Sequence, residues 1–207
     1  MEYLPGSDLF SILEAHKNKH DKFTYVETLF IMSEVILGLE FLHDNLIIFR
    51  DLKLEHVLLD HHGHVKLIDF GLSKILKGSK DVTNTICGSP HYVAPEMLTR
   101  GRYRFSVDYW SLGILLMRMY YGYFPFESEK EICQYPLNLP FSFLSNHKKM
   151  CNKLLKKLLE KKPEKRIGCV CPKTGNKNGS YMQQIKDQEY FKDVNFEKIS
   201  ERHFRSP

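Results

Sequence analysis

Two aspartates and a lysine carry the chemistry open to this sequence. Asp51 and Lys53 lie in the stretch Ile47-Ile48-Phe49-Arg50-Asp51-Leu52-Lys53-Leu54-Glu55-His56-Val57-Leu58-Leu59-Asp60, and Asp69 lies in Val65-Lys66-Leu67-Ile68-Asp69-Phe70-Gly71. Phosphoryl transfer to a hydroxyl needs one carboxylate to accept the hydroxyl proton and another to hold a divalent cation. A lysine close by offsets the charge on the moving group. The two segments must then meet. Between them, Asp60-His61-His62-Gly63-His64 is flanked by strand-like apolar runs, and Gly63 supplies a tight bend. This pattern predicts a β-hairpin whose open ends bring Asp51 and Asp69 together.

Helices must hold that hairpin in place. From Thr24 to His43, Phe30, Ile31, Val35, Leu39, Phe41 and Leu42 fall mainly on one face, with Gly38 tolerated inside. This helix is expected to pack under the Asp51 loop. Phe105 to Met119 reads as a mostly buried helix, and Met150 to Leu159 as an amphipathic one. Ser7 or Asp8 suits the N-cap of a short helix running to about Lys17.

Three segments, in order, resemble the signatures of eukaryotic protein kinases. Phe49 to His56 is similar to the catalytic-loop pattern H-R-D-L-x-x-x-N. Asp69-Phe70-Gly71 matches D-F-G, and Ala94-Pro95-Glu96 matches A-P-E. An aromatic at position 49 and Thr85-Ile86-Cys87-Gly88-Ser89 resemble the AGC group, which includes the cyclic-nucleotide-dependent kinases, protein kinase C and Akt. The resemblance runs from a hinge-like Met1-Glu2-Tyr3-Leu4 to a last-helix-like Ile185 to Phe191. It implies an α+β, protein-kinase-like fold: one partial kinase domain over 1–207, mainly a helical C-terminal lobe with short β-hairpins. The N-terminal lobe, with its Gly-rich loop and strand lysine, is expected to be absent from these residues.

The resemblance also implies roles. Asp51 would be the catalytic base, Lys53 its charge partner and a mark of Ser/Thr rather than Tyr chemistry. Asp69 would hold magnesium, with His56 at the second metal position. ATP would be contacted by Glu2, Leu4, Asp8, Glu55, His56 and Leu58. Thr85 would be the phosphosite of an upstream kinase, its phosphate clamped by Arg50 and Lys74, and Ser89 would support Asp51. Asp108 would cap the catalytic-loop backbone, and Arg166 would pair with Glu96. The expected partner is a protein substrate.

Some positions depart from the pattern. His56 replaces the magnesium-binding Asn, and imidazole prefers softer metals than magnesium. Leu54 replaces a proline. Arg118 stands where basophilic members carry a glutamate that receives a substrate arginine, while Glu55 and Asp8 remain as acidic groups. These departures leave a second reading open: a pseudokinase or interaction module that keeps the fold without turnover.

Composition limits the alternatives. A chain of 207 residues with 43% hydrophobic and 27% charged residues suits a single globular domain with a sizeable core. The net charge of +5 gathers partly between Lys153 and Arg166, where Leu154, Leu155, Leu158 and Leu159 share a helical face. That run reads as the solvated face of a packed helix, not as a nucleic-acid or membrane patch. The five cysteines show no framework or zinc spacing, which suits reduced thiols in a cytoplasmic or nuclear setting. No secretory leader is evident, and the apolar stretch from Tyr109 to Met117 is too short to span a bilayer.

Overall fold

The computed structural model describes residues 6–15, 22–78, 80–140, 145–169 and 181–201. Two long helices form its centre. The first, α2 (Tyr25–Asp44), starts at a capping box. Glu27 N–H donates to Thr24 Oγ1 at 3.3 Å, and Thr24 N–H donates to Glu27 Oε2 at 2.8 Å. The second, α4 (Ser106–Tyr121), is buried along nearly all its length, as its continuous apolar run requires. It packs against α2 on one side and α6 (Asn146–Leu158) on the other. Gly113 permits the second contact, because a Cβ there would lie 2.8 Å from Leu159 Cδ2 and 2.9 Å from Leu158 Cβ.

The strands are short. They are β1 (Ser7–Asp8), β2 (Ile47–Ile48), β3 (Val57–Leu59), β4 (Val65–Leu67) and β5 (Lys74–Ile75). Strand β4 packs on the middle of α2, and β2 follows its C-terminal end. The expected hairpin is formed by β3 and β4, which pair antiparallel with Val57 opposite Leu67 and Leu59 opposite Val65. Gly63 adopts φ 81° at its turn, a conformation in which a side chain would be strained. Strand β1 completes a three-stranded sheet on the outer side of β3, setting Asp8 opposite Leu58. Separately, β2 pairs antiparallel with β5, tying the Asp51 loop to the segment after Gly71.

The hairpin turn is held by Asp60 and by the His64 ring. Asp60 Oδ1 accepts the N–H groups of His62 and His64, each at 2.9 Å. Buried His64 contacts Glu34 Oε1 at 2.7 Å through Nδ1, and Glu34 Oε2 accepts Val65 N–H at 2.5 Å. The hairpin is thereby fixed to α2.

Shorter elements close the periphery: α1 (Leu9–Ala15), α3 (Pro95–Leu98), α5 (Glu129–Gln134), α7 (Gln183–Lys186) and α8 (Phe196–Ser200). Asp8 caps α1 by accepting Ser11 N–H at 2.8 Å. The sequence expectation that this helix reaches Lys17 extends beyond Ala15, where the description stops. Among the described residues, no helix is long and apolar enough to cross a membrane.

Candidate active site

Asp51 lies directly after β2, and its loop is held from below by Asp108. That carboxylate is fully buried. Its Oδ2 accepts Phe49 N–H at 2.9 Å, and its Oδ1 accepts Arg50 N–H at 2.8 Å. His43 Nε2 lies 2.8 Å from Oδ2, and His43 Nδ1 lies 3.2 Å from the Tyr109 hydroxyl. Helices α2 and α4 thus both grip the loop. Arg50 is forced to φ 71°, a left-handed conformation that costs an L-residue roughly 1–2 kcal/mol.

The loop presents Asp51 with one carboxylate oxygen fully engaged. Asp51 Oδ1 accepts both the N–H and the hydroxyl of Ser89 at 2.9 Å. Lys53 Nζ donates to Ser89 Oγ at 2.9 Å and lies 3.3 Å from Asp51 Oδ2. A serine, a lysine and an aspartate close this ring, so the carboxylate is oriented from two segments far apart in sequence.

The hairpin brings Asp69 to the same place, as its spacing predicts. His56 bridges the two aspartates. Its Nδ1 lies 2.9 Å from the Asp51 carbonyl and 3.4 Å from Asp51 Oδ2, and its Nε2 lies 3.5 Å from Asp69 Oδ2. The Asp69 side chain is 59% exposed, whereas that of Asp51 is 7% exposed. Asp69 Oδ1 accepts Gly71 N–H at 3.0 Å, and Asp69 itself adopts φ 60°.

These donors fit a hard divalent cation at Asp69 and not at His56. The Asp69 carboxylate is largely exposed and offers hard oxygen donors, which suit magnesium. His56 offers nitrogen, a poorer magnesium ligand, and turns Nδ1 to the Asp51 carbonyl. Among the described residues, no group of three or more His, Cys, Asp or Glu side chains is arranged to hold a metal ion.

The nucleotide-facing residues are only partly described. Glu2 and Leu4 lie outside the described residues. Leu58 is half-buried in β3, Glu55 is exposed, and Phe70 is 49% exposed with its ring edge-on to Phe49 at 5.3 Å. Asp8 uses both oxygens on Ser11, receiving its N–H at 2.8 Å and its hydroxyl at 2.6 Å.

Thr85 is exposed on the loop that follows β5. The Tyr103 hydroxyl donates to the Thr85 carbonyl at 2.5 Å and accepts from Arg50 NH1 at 3.4 Å. Burial pushes the Tyr103 phenol above its ordinary range. Arg50 Nε donates to the Leu72 carbonyl at 2.5 Å, so the guanidinium already joins the Thr85 loop to the Asp69 segment. Lys74 is exposed in β5.

Behind this loop, Glu96 and Arg166 form a buried bidentate pair at 2.6 and 2.9 Å. Ser106 Oγ donates to Glu96 at 2.9 Å, and Arg166 is 0% exposed. Here the pattern A-P-E and the later Arg166 meet as the sequence implied.

Residues 1–191 match the family described as Protein kinase domain. The chain belongs to that family. It is 38% identical over 209 aligned positions to cAMP-dependent protein kinase type 3 of Saccharomyces cerevisiae, covering 100% of this chain and 49% of that protein. It is 35% identical to Serine/threonine-protein kinase N2 of Danio rerio, covering 100% of this chain and 20% of that protein. With Protein kinase C zeta type of Oryctolagus cuniculus the identity is 35%, covering 100% of this chain and 35% of that protein. The chain therefore spans about half the length of the yeast relative and less of the other two. These relatives are kinases of the AGC type, and the fold is a kinase domain dominated by its helical lobe.

Several residues that position this candidate site carry no motif in the sequence. His43, Tyr103, Glu34 and Ser106 each join segments far apart in the chain. Their side chains are common types without a motif. The one usable signal was His43 closing a long helix just before the Asp51 loop, where a polar ring on a buried face needs a partner.

Proposed function

We propose that the chain is the phosphoryl-transfer lobe of a serine/threonine protein kinase that moves the ATP γ-phosphate to protein hydroxyls. Residues 1–207 are read as one partial kinase domain, from the hinge to the end of the large lobe. The observation that carries this reading is the convergence of Asp51, Lys53, Ser89 and Asp69 around one cleft.

Asp51 acts as the base. Ser89 fixes Oδ1, which leaves Oδ2 to receive the proton of the incoming hydroxyl. Lys53, on the same side, offsets negative charge that gathers as the hydroxyl attacks in line. Asp69 would hold magnesium. When bound, ATP supplies the phosphoryl group and magnesium supplies positive charge against its oxygens. Glu2, Leu4, Asp8, Glu55, His56 and Leu58 face or flank the nucleotide in this reading. Thr85 is the phosphosite of an upstream kinase, and the Tyr103–Arg50 contacts carry its charge to the Asp69 segment. Reduced thiols suit a cytoplasmic or nuclear protein, and Cys87, Cys133, Cys151 and Cys169 are all free.

The test is Asp51→Asn in the full-length protein. Phosphate transfer to a general acceptor protein should be abolished while the melting temperature holds. Undiminished turnover in that variant overturns the assignment. One observation favours the second reading, a pseudokinase or interaction module: His56 stands where a magnesium oxygen ligand is needed. That reading predicts no transfer by the wild-type full-length protein at any magnesium concentration.

A further inference from the structure

Helix α6 turns a row of lysines to solvent. Its apolar residues Leu154, Leu155 and Leu158 are buried where it packs on α4, and it contains no acidic residue. Lys149, Lys153 and Lys156 recur at helical spacing and share one face, about 10 Å long. They line a hollow of about 550 Å³. The segment after α7 supplies Lys192, Glu189 and Asp193 to the same hollow.

Fixed contacts give this hollow its shape. Tyr25, from the start of α2, stacks on the His147 ring at 3.9 Å with the two planes 2° apart. The Tyr25 hydroxyl donates to the Tyr190 carbonyl at 3.3 Å. Lys153 Nζ donates to Glu189 Oε2 at 2.7 Å, and Lys157 Nζ donates to Gln188 Oε1 at 2.6 Å. Lys153 thereby holds the Glu189 carboxyl below its usual range, and the Lys192 charge adds to the effect. Four lysines meet two carboxylates, which leaves two positive charges in excess. Among the described residues, no ion pair involves Lys149 or Lys192.

The form of the excess charge selects among anionic partners. A helix that docks on a bilayer sets apolar side chains beside its cations. Here α6 exposes no large apolar side chain, and Met150 at the hollow is buried. A nucleic-acid backbone presents phosphates without a break and would meet Glu189 and Asp193. An extended peptide places the side chains of one face about 6.6 Å apart, close to the roughly 6 Å rise from Lys149 to Lys153. Its uncharged positions can then lie against the two carboxylates. We infer that this hollow docks an extended segment of a partner protein rich in Asp and Glu. The surface shares no residue with the Asp51 cleft, so the inference stands apart from the kinase reading.

The probe is a fluorescein-labelled peptide of alternating Glu and Ser, titrated by anisotropy against the full-length protein. Its affinity should fall as salt rises. Lys149→Glu with Lys192→Glu should weaken binding roughly tenfold or more, because attraction becomes repulsion at both positions. Lys149→Arg with Lys192→Arg should keep it. Lys162→Glu with Lys165→Glu makes the same charge change on exposed lysines outside the hollow and should cost far less. Equal losses in the two glutamate pairs would mean that net charge alone attracts the peptide, and they overturn the inference. Undiminished binding in Lys149→Glu with Lys192→Glu overturns it as well. A duplex oligonucleotide and vesicles of equal parts phosphatidylserine and phosphatidylcholine are titrated alongside. If either binds more tightly than the peptide and is lost in that variant, the face serves nucleic acid or membrane and the inference fails.

Discussion

Asp108→Asn removes a charge without removing volume, and so it isolates what the buried carboxylate does for the catalytic loop. The two backbone donors sit on different oxygens: Phe49 N–H on Oδ2 at 2.9 Å and Arg50 N–H on Oδ1 at 2.8 Å. Whichever oxygen becomes an amide NH2, one of those N–H groups then faces another donor. A hydrogen bond to a charged group contributes about 1.5–3 kcal/mol, and a buried donor left unpaired loses at least as much. The loop has little reserve, because Arg50 at φ 71° is strained and these bonds hold it there. The expected loss is about 2–3 kcal/mol, which for a chain of this size lowers Tm by roughly 5–10 °C. Amide exchange localises the effect. The same loss speeds exchange at Phe49 and Arg50 by about 30–150-fold if these amides open through the loop. Unchanged exchange at both amides, together with an unchanged Tm, would refute the argument that α4 holds the loop through this carboxylate.

Three more outcomes follow from the geometry. Glu96→Ala leaves Arg166 buried without its bidentate partner and should cost about 3–5 kcal/mol in urea unfolding; Glu96→Ala combined with Arg166→Ala should cost clearly less than the two single losses added. His56→Asn in the full-length protein replaces an imidazole nitrogen by an oxygen donor and should lower the magnesium concentration for half-maximal transfer, measured by titration; tighter magnesium binding with His56 than with Asn would contradict the poor fit of the histidine. Thr85→Ala should lower transfer by the full-length protein and increase proteolytic nicking between Lys77 and Thr85; mass spectrometry showing full activity with Thr85 unmodified would mean that the loop is ordered by other contacts.

Much of this arrangement was legible because the decisive signals are local. The hairpin follows from Gly63 and its strand-like flanks, and with the β2–β5 pair it carries Asp69 to Asp51. Thr24 and Glu27 fix the start of α2 from three residues' spacing. What local signals could not give is the wiring between distant segments. Nothing near Tyr103 announces that its hydroxyl joins Arg50 to Thr85. Nothing near Glu34 announces that it pins the hairpin. Nor does anything near Arg50 announce that its guanidinium meets the Leu72 carbonyl and the Tyr103 hydroxyl. Such pairs depend on the relative placement of packed helices, which a single sequence does not encode at short range.

Backbone strain bears on the choice between a kinase and an inert scaffold. Among the described residues, the non-glycine positions with left-handed φ are Leu46, Arg50, Asp69 and Arg100. Arg50 adjoins the candidate base, and Asp69 is the candidate magnesium ligand. Each such conformation costs about 1–3 kcal/mol and persists only where its surroundings over-determine it. The fold commits a buried carboxylate, two backbone hydrogen bonds and a histidine to holding Arg50. A further strand pair, β2 with β5, holds the approach to Asp69. A module that used only its outer surface would gain stability from relaxing both positions. That both remain strained, on either side of one cleft, supports a chain built to place Asp51 and Asp69 for phosphoryl transfer.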